Sequence, residues 1–521
     1  MTSQDRVPDV YGPGTYTDKS FVPVPEDTAR IFRQIVSQTP GFTQDESILS
    51  KVKFTGEEYP VIPGPIKATS VAAALHAMCG VIGDEILTLR GAKDDKRQIT
   101  VNTTHAAMWF GCVATAYLNG EDVLSMAAQK KLGAVLPDWE QGWTDTPLKY
   151  RTTALYPTKN PETWYSLHGS MNAKPVLESI GIDPNASVTS NEDAAKFIAE
   201  HTKKYSPEEL EMNNLMNGFC GSICFNPQQW NNSTMGKSLA AHPLVNVKQQ
   251  THAVATPPVA FPPLNPQDPR PLAGVKVLEL TRVIAGPEIG TILASFGADV
   301  IRLNAPHLPD INIMQLSLNA GKRTSTVDLR NASDVAALQA LLADVDVFAS
   351  AEKGIVYVSE NCYGPDGYYK ERPGWQQIAD AAAGSAYVTG RALEATQGLQ
   401  KHEAVLPSLP ISDMSTGVLG AVGAMLALKR RAVEGGSWEV HASLAGVNAY
   451  ALREDVGLYP LHTVQECQDR FQWDQMRGSH HVLDLLVTVW KGWKRVLGDY
   501  LEEQSGWYQS FEGKRVRRQD A

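Results

Sequence analysis

The longest apolar pattern in the chain runs from Leu409 to Arg431 and predicts a buried helix. Glycines recur at every third residue within it, at Gly417, Gly420 and Gly423. This spacing predicts a smooth face that another backbone can approach closely. The run closes in three basic residues, 429–431, where the helix dipole favours cations.

One acid, Asp413, stands where a proline-bounded loop enters this helix. An Asp before an apolar periodic run usually caps the helix by accepting hydrogen bonds from its first backbone N–H groups. Capping is therefore the simplest interpretation of Asp413. A chemical role is the alternative, and the rest of the chain bears on it.

A second helix with small residues spaced by three is predicted over 71–89. A polar turn and an alternating run, 98–103, follow it, just as the alternating run 438–443 follows the first helix. The two segments look like diverged copies of one unit, which predicts an internal repeat. In the 71–89 copy, the positions nearest to Asp413 are 67–69, and none of them is an acid.

A proline-rich stretch from Thr256 to Pro271 predicts an extended spacer, because so many prolines exclude regular helix and central strand. With 521 residues, the chain is long enough for several domains with their own cores. The sequence therefore predicts five parts: an N-terminal arm (1–60), a first half (61–250), a linker (251–271), a second half (272–452) and a helical C-terminal tail (453–521).

Beyond the linker, strands and helices alternate. A strand at 275–280, a helix at 288–296 and a strand at 300–303 predict a βαβ unit. The alternation continues with strand 324–329, helix 332–342 and strand 345–348. The predicted fold is α/β, with a Rossmann-like doubly wound parallel sheet domain and a smaller α+β region. A small-residue helix is also predicted from Gln377 to Val388.

One strand breaks this alternation. The run Ile355–Ser359 begins about six residues after Phe348, whereas a parallel crossover needs about a dozen or more. Two alternatives follow. Either the strands that end at Phe348 and begin at Ile355 pair antiparallel, or a crossover segment has been lost between them.

The composition narrows the class of protein. A net charge of −10 without a long basic run argues against nucleic-acid binding. Six scattered cysteines favour a reducing compartment and no disulfide framework, and no Cys/His spacing indicates a metal site. We expect no membrane span, because no apolar run of about 18 residues is evident, and no signal peptide. The expected location is the cytoplasm.

Positive charge near the predicted strand ends suggests a phosphate-bearing ligand. The turn 284–287 lies where Rossmann-like sheets bind cofactors, but it lacks the G-x-G-x-x-G pattern of dinucleotide-binding dehydrogenases. Arg302, Lys322, Arg323 and Arg330 favour an anionic ligand such as a nucleotide or coenzyme A. The alternative is that these four residues are solvated charges at the sheet edge.

Asp413 is the acid best placed for covalent chemistry. The chain has no G-x-S-x-G, H-E-x-x-H or P-loop motif. A carboxylate can attack a thioester and form a mixed anhydride, which divides one acyl transfer into two steps. The sequence thus offers Asp413 as a nucleophile.

The motif PLAGVKVLELTRVIAGP at 271–287 resembles the opening of family III CoA-transferases, which include formyl-CoA and carnitine CoA-transferases and α-methylacyl-CoA racemases. The stretch around Asp413 is similar to the family's aspartate followed by a glycine-bearing helix. WYSLHG at 164–169, in the first half, resembles the later part of the family. Further motifs follow in the family's order: Gly297–Arg302, Gly321–Arg323, Val327–Arg330, Tyr363–Tyr368, Arg372–Trp375 and Thr389–Gly390.

The resemblance implies a CoA-transferase that acts on an acyl-CoA and a carboxylic acid, with no cofactor besides the CoA thioester substrate. Asp413 would be the nucleophile, and homodimers are common in the family. It implies CoA-binding roles for Ile284 and Ala285 against the CoA, and for Val327, Asp328, Leu329 and Arg330 around its adenine and phosphates. Arg302, Trp375 and Gln376 complete the predicted CoA-binding set.

The sequence also departs from the family pattern. The segment between Phe348 and Gly354 lacks a loop and a helix, the part after the Asp413 helix is short, and the small-domain-like sequence comes first. Racemase members carry a His-Asp pair where this chain has Trp375 and Gln376, so a transferase is preferred to a racemase or epimerase. A non-catalytic CoA-binding protein is the remaining alternative.

Overall fold

A computed structural model describes residues 6–498 apart from short gaps, together with the strands 508–511 and 514–517. The gaps are residues 93–95, 114, 119–120, 130, 135, 137–138, 140–141, 252–255 and 348–353. The departure predicted between Phe348 and Gly354 therefore lies outside the described residues, except for Gly354 itself.

The helices of the described chain are α1 Val24–Ser37, α2 Glu46–Leu49, α3 Ala68–Leu89, α4 Thr103–Trp109, α5 Val123–Ala128, α6 Pro147–Arg151, α7 Ala173–Ser179, α8 Asn191–Thr202, α9 Pro207–Asn217, α10 Pro227–Asn232, α11 Thr234–Ala240, α12 Ala285–Ser295, α13 Gln315–Leu318, α14 Ala332–Leu342, α15 Gln376–Ala382, α16 Ser385–Gln397, α17 Ile411–Glu434, α18 Leu444–Ala451, α19 Leu461–Phe471 and α20 Val482–Val496.

The strands are β1 Arg6–Pro8, β2 Tyr16–Asp18, β3 Val52–Thr55, β4 Ile99–Asn102, β5 Tyr117–Leu118, β6 Glu121–Asp122, β7 Ala154–Pro157, β8 Trp164–Leu167, β9 Gly221–Ile223, β10 Asn246–Gln249, β11 Lys276–Glu279, β12 Asp299–Asn304, β13 Arg323–Thr326, β14 Val356–Asn361, β15 Trp438–Ser443, β16 Tyr508–Phe511 and β17 Lys514–Arg517.

The largest sheet has two groups of strands on either side of Val347. In one group, β11 pairs with β12 and β12 with β13, all parallel. In the other, β14 pairs parallel with β15, and β10 pairs antiparallel with β15. Single parallel bridges join Val347 to Val277 and to Val356. The antiparallel alternative for the strands near Phe348 is therefore wrong, because the bridge between Val347 and Val356 is parallel.

Helices cover both faces of this sheet, since successive strand residues point to opposite sides. Val277 and Val356 belong to an apolar cluster with residues of α3, α12 and α17. Leu278 and Ile355 pack instead with Leu338 of α14. The α/β class predicted from the alternating pattern is confirmed.

The glycine-lined face of α17 accepts neighbours at close range, as its spacing predicted. A Cβ atom built on Gly420 would lie 2.5 Å from Cδ1 of Ile289 in α12. One built on Gly423 would collide with Val440 of β15. On another side, α3 packs along α17, and Lys429 pairs with Glu85 at 2.8 Å. The two small-residue helices therefore pack against each other in the core.

Both of these helices, α3 and α17, are long and apolar enough to cross a membrane by length and composition alone. This corrects the expectation that the chain holds no such run. Most of each apolar stretch is buried inside the protein, as in the core helices of many globular proteins.

The first half of the chain also contributes to the large sheet. Its strands β7, β8 and β9 form an antiparallel sheet of their own, packed with α7, α8 and α9. Its last strand, β10, lies beside β15, with Val247 opposite Val440. The order α3, β4, α4 parallels the order α17, β15, α18. The internal repeat and the five-part division remain predictions.

One predicted element is wrong. The pattern from Gln377 to Val388 predicted a single helix, but α15 ends at Ala382 and α16 begins at Ser385. Gly384 lies between them with a φ of 100°, in the left-handed region that interrupts a helix. All six cysteines are free.

Candidate active site

A cavity of about 310 Å³ opens between β11 and β14. It lies where the strand order reverses direction, since β12 and β13 follow β11 to one side and β14 and β15 follow Val347 to the other. Open α/β sheets bind ligands at the carboxyl ends of strands on either side of such a point. The lining residues that matter here are Glu279, Thr281, Gly286, Gly290, Tyr357 and Glu360.

Asp413 lies in the first turn of α17, but it does not cap the helix. The N-cap is Pro410, which makes no side-chain capping bond, so the capping interpretation is wrong. Asp413 is partly exposed, and its carboxylate has no hydrogen-bond or ion-pair partner among the described residues. Burial raises its pKa well above the usual 3.8, and the nearby carboxylates of Glu360 and Asp380 raise it further.

Asp380 of α15 lies at the centre of a buried polar network beside Asp413. Ser412 Oγ donates to Asp380 Oδ1 at 2.9 Å, and Asn448 Nδ2 donates to the same oxygen at 2.9 Å. Gln376 Nε2 donates to Asp380 Oδ2 at 3.1 Å and to the carbonyl oxygen of Leu409 at 2.9 Å. Burial raises the pKa of Asp380 to about 7, against the lowering effect of these hydrogen bonds.

Glu360 faces the cavity from the end of β14. Burial raises the pKa of its carboxyl to about 7. Its negative charge is one of the causes that raise the pKa of Asp413. The site thus gathers three acids, from β14, α15 and α17. Among the described residues, no group of three or more His, Cys, Asp or Glu side chains is arranged to hold a metal ion.

The turn before α12 carries Ile284 and Ala285, both buried. Ile284 packs in an apolar cluster with Met414, whereas Ala285 packs with Ile378 of α15. The preceding Val283 has a φ of 67°, which is unusual for a β-branched residue and is typical of functional turns. This predicted contact point therefore lies beside the elements that carry Asp413 and Asp380.

Arg302 is not available at the sheet edge. Its guanidinium is fully buried and pairs with Asp310 at 2.9 Å and with Glu279 at 3.4 Å. Lys322 is also enclosed, and it pairs with Glu279 at 2.8 Å. The prediction that Arg302 binds a phosphate is corrected on this point, because buried carboxylates already match its charge.

Val327, Asp328, Leu329 and Arg330 form the turn that follows β13. Leu329 is 52% exposed, and Arg330 Nε donates to Asp328 Oδ1 at 2.8 Å. The bonds from Arg330 lower the pKa of Asp328 to about 2. The turn lies at the same edge of the sheet as the cavity, but its role toward CoA stays a prediction.

Trp375 connects the site to the first half of the chain. Its ring stacks on His168, with centroids 5.1 Å apart and planes 10° apart, and its Nε1 donates to Ser170 Oγ at 3.3 Å. His168 Nε2 also lies 3.2 Å from Oε1 of Gln377. Burial lowers the pKa of His168 to about 3, so its ring stays neutral.

The first small-residue helix, α3, is preceded by a lysine, whereas α17 carries Asp413 in its first turn. Lys67, the residue before α3, is fully buried and pairs with Asp18 and with Asp27, the latter at 2.6 Å. A lysine held between two carboxylates cannot act as a carboxylate nucleophile. The chemistry offered by Asp413 has no counterpart at this position.

Sequence reasoning missed Asp380 and Glu360. Asp380 lies inside an apolar run, after Ile378 and Ala379, and Glu360 lies at the end of the predicted strand that begins at Ile355. A charged residue at a core position was the available signal, because an acid is rarely buried without a function or a partner. The missing information was which other elements these two positions face.

Comparison with known proteins places the chain in a family. Residues 272–354 and 349–479 match the model of CoA-transferase family III. An "Acyl-CoA transferase" of Gibberella moniliformis is 43% identical over 512 residues, which cover 93% of this chain and 88% of the relative. "Acetyl-coenzyme A transferase nodX" of Hypoxylon pulicicidum is 30% identical over 505 residues, which cover 89% and 83%.

Among solved structures, a CaiB/BaiF family protein from Brucella suis is 22% identical to this chain. The match covers 35% of this chain and 55% of that one, with a TM-score of 0.29. The identity to the Gibberella moniliformis relative, over nearly the whole chain, decides the assignment. This protein belongs to CoA-transferase family III and is a CoA-transferase.

Proposed function

We propose that the protein moves coenzyme A from an acyl-CoA donor to a carboxylic acid acceptor, with Asp413 as the nucleophile. The position of Asp413 carries this proposal. It is a partly exposed acid in the first turn of α17, without a partner among the described residues, and the charge of Glu360 in the cavity wall raises its pKa. A desolvated carboxylate of raised pKa is a stronger nucleophile than one in water.

The proposed reaction begins when the Asp413 carboxylate attacks the thioester carbonyl carbon of the donor. A C–O bond forms and the C–S bond breaks, which leaves a mixed anhydride and the CoA thiolate. The thiolate then attacks the Asp413 carbonyl carbon, releases the donor acid and leaves CoA as a thioester on Asp413. The acceptor carboxylate attacks that thioester, which gives a mixed anhydride of Asp413 and the acceptor and frees the CoA thiolate. The thiolate then attacks the acceptor's carbonyl carbon, which releases the acceptor's CoA thioester and the free Asp413 carboxylate.

The contacts proposed for CoA come from the turn before α12, the turn after β13 and the start of α15. Ile284 and Ala285 would lie against the CoA near the carboxylates, and 327–330 would contact its adenine end. Trp375 and Gln376 would contact CoA from the start of α15, the helix that also carries Asp380. Arg302 is left out of the proposed contacts, because its charge is matched inside the protein.

The strand order on either side of Val347 supports a Rossmann-like, doubly wound domain. The matching order of α3, β4, α4 and α17, β15, α18 supports two related halves in one chain. We further propose a homodimer, a cytoplasmic location and no cofactor besides the CoA thioester substrate.

Trapping the covalent intermediate tests the role of Asp413. The enzyme is incubated with a panel of acyl-CoAs of short, long and dicarboxylic acyl groups, quenched with hydroxylamine and digested for mass spectrometry. We expect a hydroxamate on Asp413 and none in Asp413→Asn. Asp474→Asn, which removes an exposed acid elsewhere, should be modified like the wild type. Full transfer activity in Asp413→Asn would overturn the proposal.

Two other activities give different results. A racemase would exchange the α-hydrogen of a 2-methylacyl-CoA with deuterium from solvent. Gln376, at the position of the racemase base pair, is an amide engaged by Asp380 and Leu409, so we expect no exchange. A non-catalytic binding protein would bind CoA in calorimetry but form no adduct with any member of the panel.

A further inference from the structure

Asp380 joins three helices around the start of α17. It is a residue of α15 with no exposed surface, and its carboxylate receives hydrogen bonds from Ser412 of α17 and Asn448 of α18. Asn448 is itself oriented by Ser385, whose Oγ donates to Asn448 Oδ1 at 2.7 Å. Ser412 is the residue directly before Asp413. Any shift of Asp380 therefore reaches Asp413 through a single peptide unit.

The groups around Asp380 suit a carboxyl that changes its protonation state. Gln376 and Asn448 present amide N–H groups, which only donate, and no cation contacts Asp380 among the described residues. The hydroxyl of Ser412 can rotate to donate to a carboxylate or to accept from a carboxylic acid. Both forms of Asp380 are therefore satisfied, whereas a purely structural carboxylate usually has a charged partner.

The charged groups that act on the pKa of Asp413 come from two elements. Glu360 belongs to β14 and Asp380 to α15, and both are acids that raise this pKa. Glu360 lines the cavity, so a bound ligand covers it. Asp380 has no exposed surface and is not among the residues that line the cavity, so a ligand in the cavity does not cover it.

We infer that Asp380 is a positioning residue for Asp413, because its hydrogen bond from Ser412 holds the first turn of α17 in place. Its acidic group also makes the Asp413 carboxylate more basic and more nucleophilic. Asp380 forms no bond to the substrate. A like charge nearby disfavours ionisation of a carboxyl and raises its basicity, which is useful to a nucleophile once it has ionised. This inference rests on the proposed role of Asp413.

The test compares wild type with Asp380→Asn, which keeps the shape of the side chain and removes its charge. The rate of Asp413 acylation is measured in a single turnover across pH 4 to 9. We expect the acid limb to move to lower pH by about one unit and the plateau rate to fall about tenfold. Glu434→Gln, at the far end of α17 and paired with Arg430, removes the same charge and should leave both unchanged.

A second measurement does not require turnover. A carbodiimide reacts with protonated carboxyls, so the pH midpoint of Asp413 modification, read by mass spectrometry, reports its ionisation directly. The midpoint should also move to lower pH in Asp380→Asn. An unchanged midpoint and acid limb would overturn the inference. A shifted midpoint in a protein whose wild type is never acylated would instead overturn the proposed function.

Ser412→Ala separates the positioning effect from the charge effect and covers the case in which Asp380→Asn does not fold. It leaves the Asp380 charge in place and removes the link to α17. We expect the acylation rate to fall about tenfold while the midpoint moves by less than about half a unit. A wild-type rate in Ser412→Ala would show that Asp380 does not act through α17 and would overturn the positioning role.

Discussion

A Cβ atom built on Gly417 of α17 would lie 2.5 Å from the Cβ atom of Glu288 in α12. The two helices therefore meet at a distance that only glycine allows at this position. Glu288 is buried, accepts a hydrogen bond from Trp109 Nε1 at 3.2 Å and has a pKa raised to about 8, chiefly by burial. The contact lies one helical turn from Asp413, so the packing of α12 on α17 also locates the nucleophile.

Gly417→Ala should lower the free energy of unfolding by about 1–3 kcal/mol. The added methyl group forces α12 and α17 apart, which outweighs the gain of about 1 kcal/mol in helix propensity from replacing glycine. Gly133→Ala is the control, because nothing lies within 4 Å of a Cβ atom there. Urea unfolding measures both variants, and equal stability of Gly417→Ala and wild type would contradict the packing argument.

The stability of the protein should depend on pH through Asp380. Its folded pKa is raised from 3.8 to about 7, so its contribution to stability is fully present below pH 3.8 and is lost as the pH rises through 7. Three pKa units correspond to at most roughly 4 kcal/mol. The Asp380→Asn variant lacks this pH-dependent contribution to the free energy of unfolding. The difference in unfolding free energy between variant and wild type should therefore move in the variant's favour from pH 4 to pH 8.

Chemical denaturation at several pH values measures that difference. Histidines that are buried in the neutral form, such as His168, also make stability depend on pH, but they contribute equally to both proteins and cancel. A difference that stays constant from pH 4 to pH 8 would show that Asp380 is ionised throughout this range.

Arg302→Met should destabilise the fold by about 3–5 kcal/mol, because it leaves the buried carboxylate of Asp310 without its charged partner and leaves Glu279 paired with Lys322 alone. Arg323→Met is a matched control in the neighbouring strand. Arg323 pairs with Asp299 in an exposed position, where a salt bridge contributes about 0–1 kcal/mol. Thermal unfolding compares the two, and similar losses would mean that the buried network around Arg302 is not as the structure shows.

Cutting the linker should not separate the two halves. A protease site inserted between the exposed residues Pro266 and Gln267 would divide the chain. The pairing of β10 with β15, and Arg372 with its partners Glu211 and the Gly221 carbonyl, hold the halves together. We expect the cleaved fragments to co-elute on gel filtration. Separate elution would mean that the covalent linker is required for the association.

Local patterns along the chain were sufficient for several elements. The glycine spacing predicted the close face of α17, and the alternation after the linker predicted β11, α12 and β12 to within a few residues. The helix break at Gly384 could not be predicted from the local pattern. A glycine in an alanine-rich run is compatible with a helix, and only its left-handed conformation shows the break between α15 and α16.

Charged residues show the limit of local reasoning. Arg302 and Arg330 both follow the same kind of pattern, a basic residue near a strand end. The structure buries Arg302 between Asp310 and Glu279 and leaves Arg330 exposed beside Asp328. Whether a charge is free depends on which acids the fold brings to it and on how deeply it buries the pair, and neither follows from a basic residue's position near a strand end.

The sequence by itself determined the α/β class, the apolar helix that begins near Asp413 and the family to which the chain belongs, because periodicity, glycine spacing and ordered motifs are local properties. Only the tertiary structure decided that Asp413 is not a helix cap, that Asp380 is hydrogen-bonded to the neighbouring Ser412, and that the first half contributes His168 and β10. These facts depend on contacts between residues far apart in the chain, where burial and neighbouring charge set the chemistry of each acid.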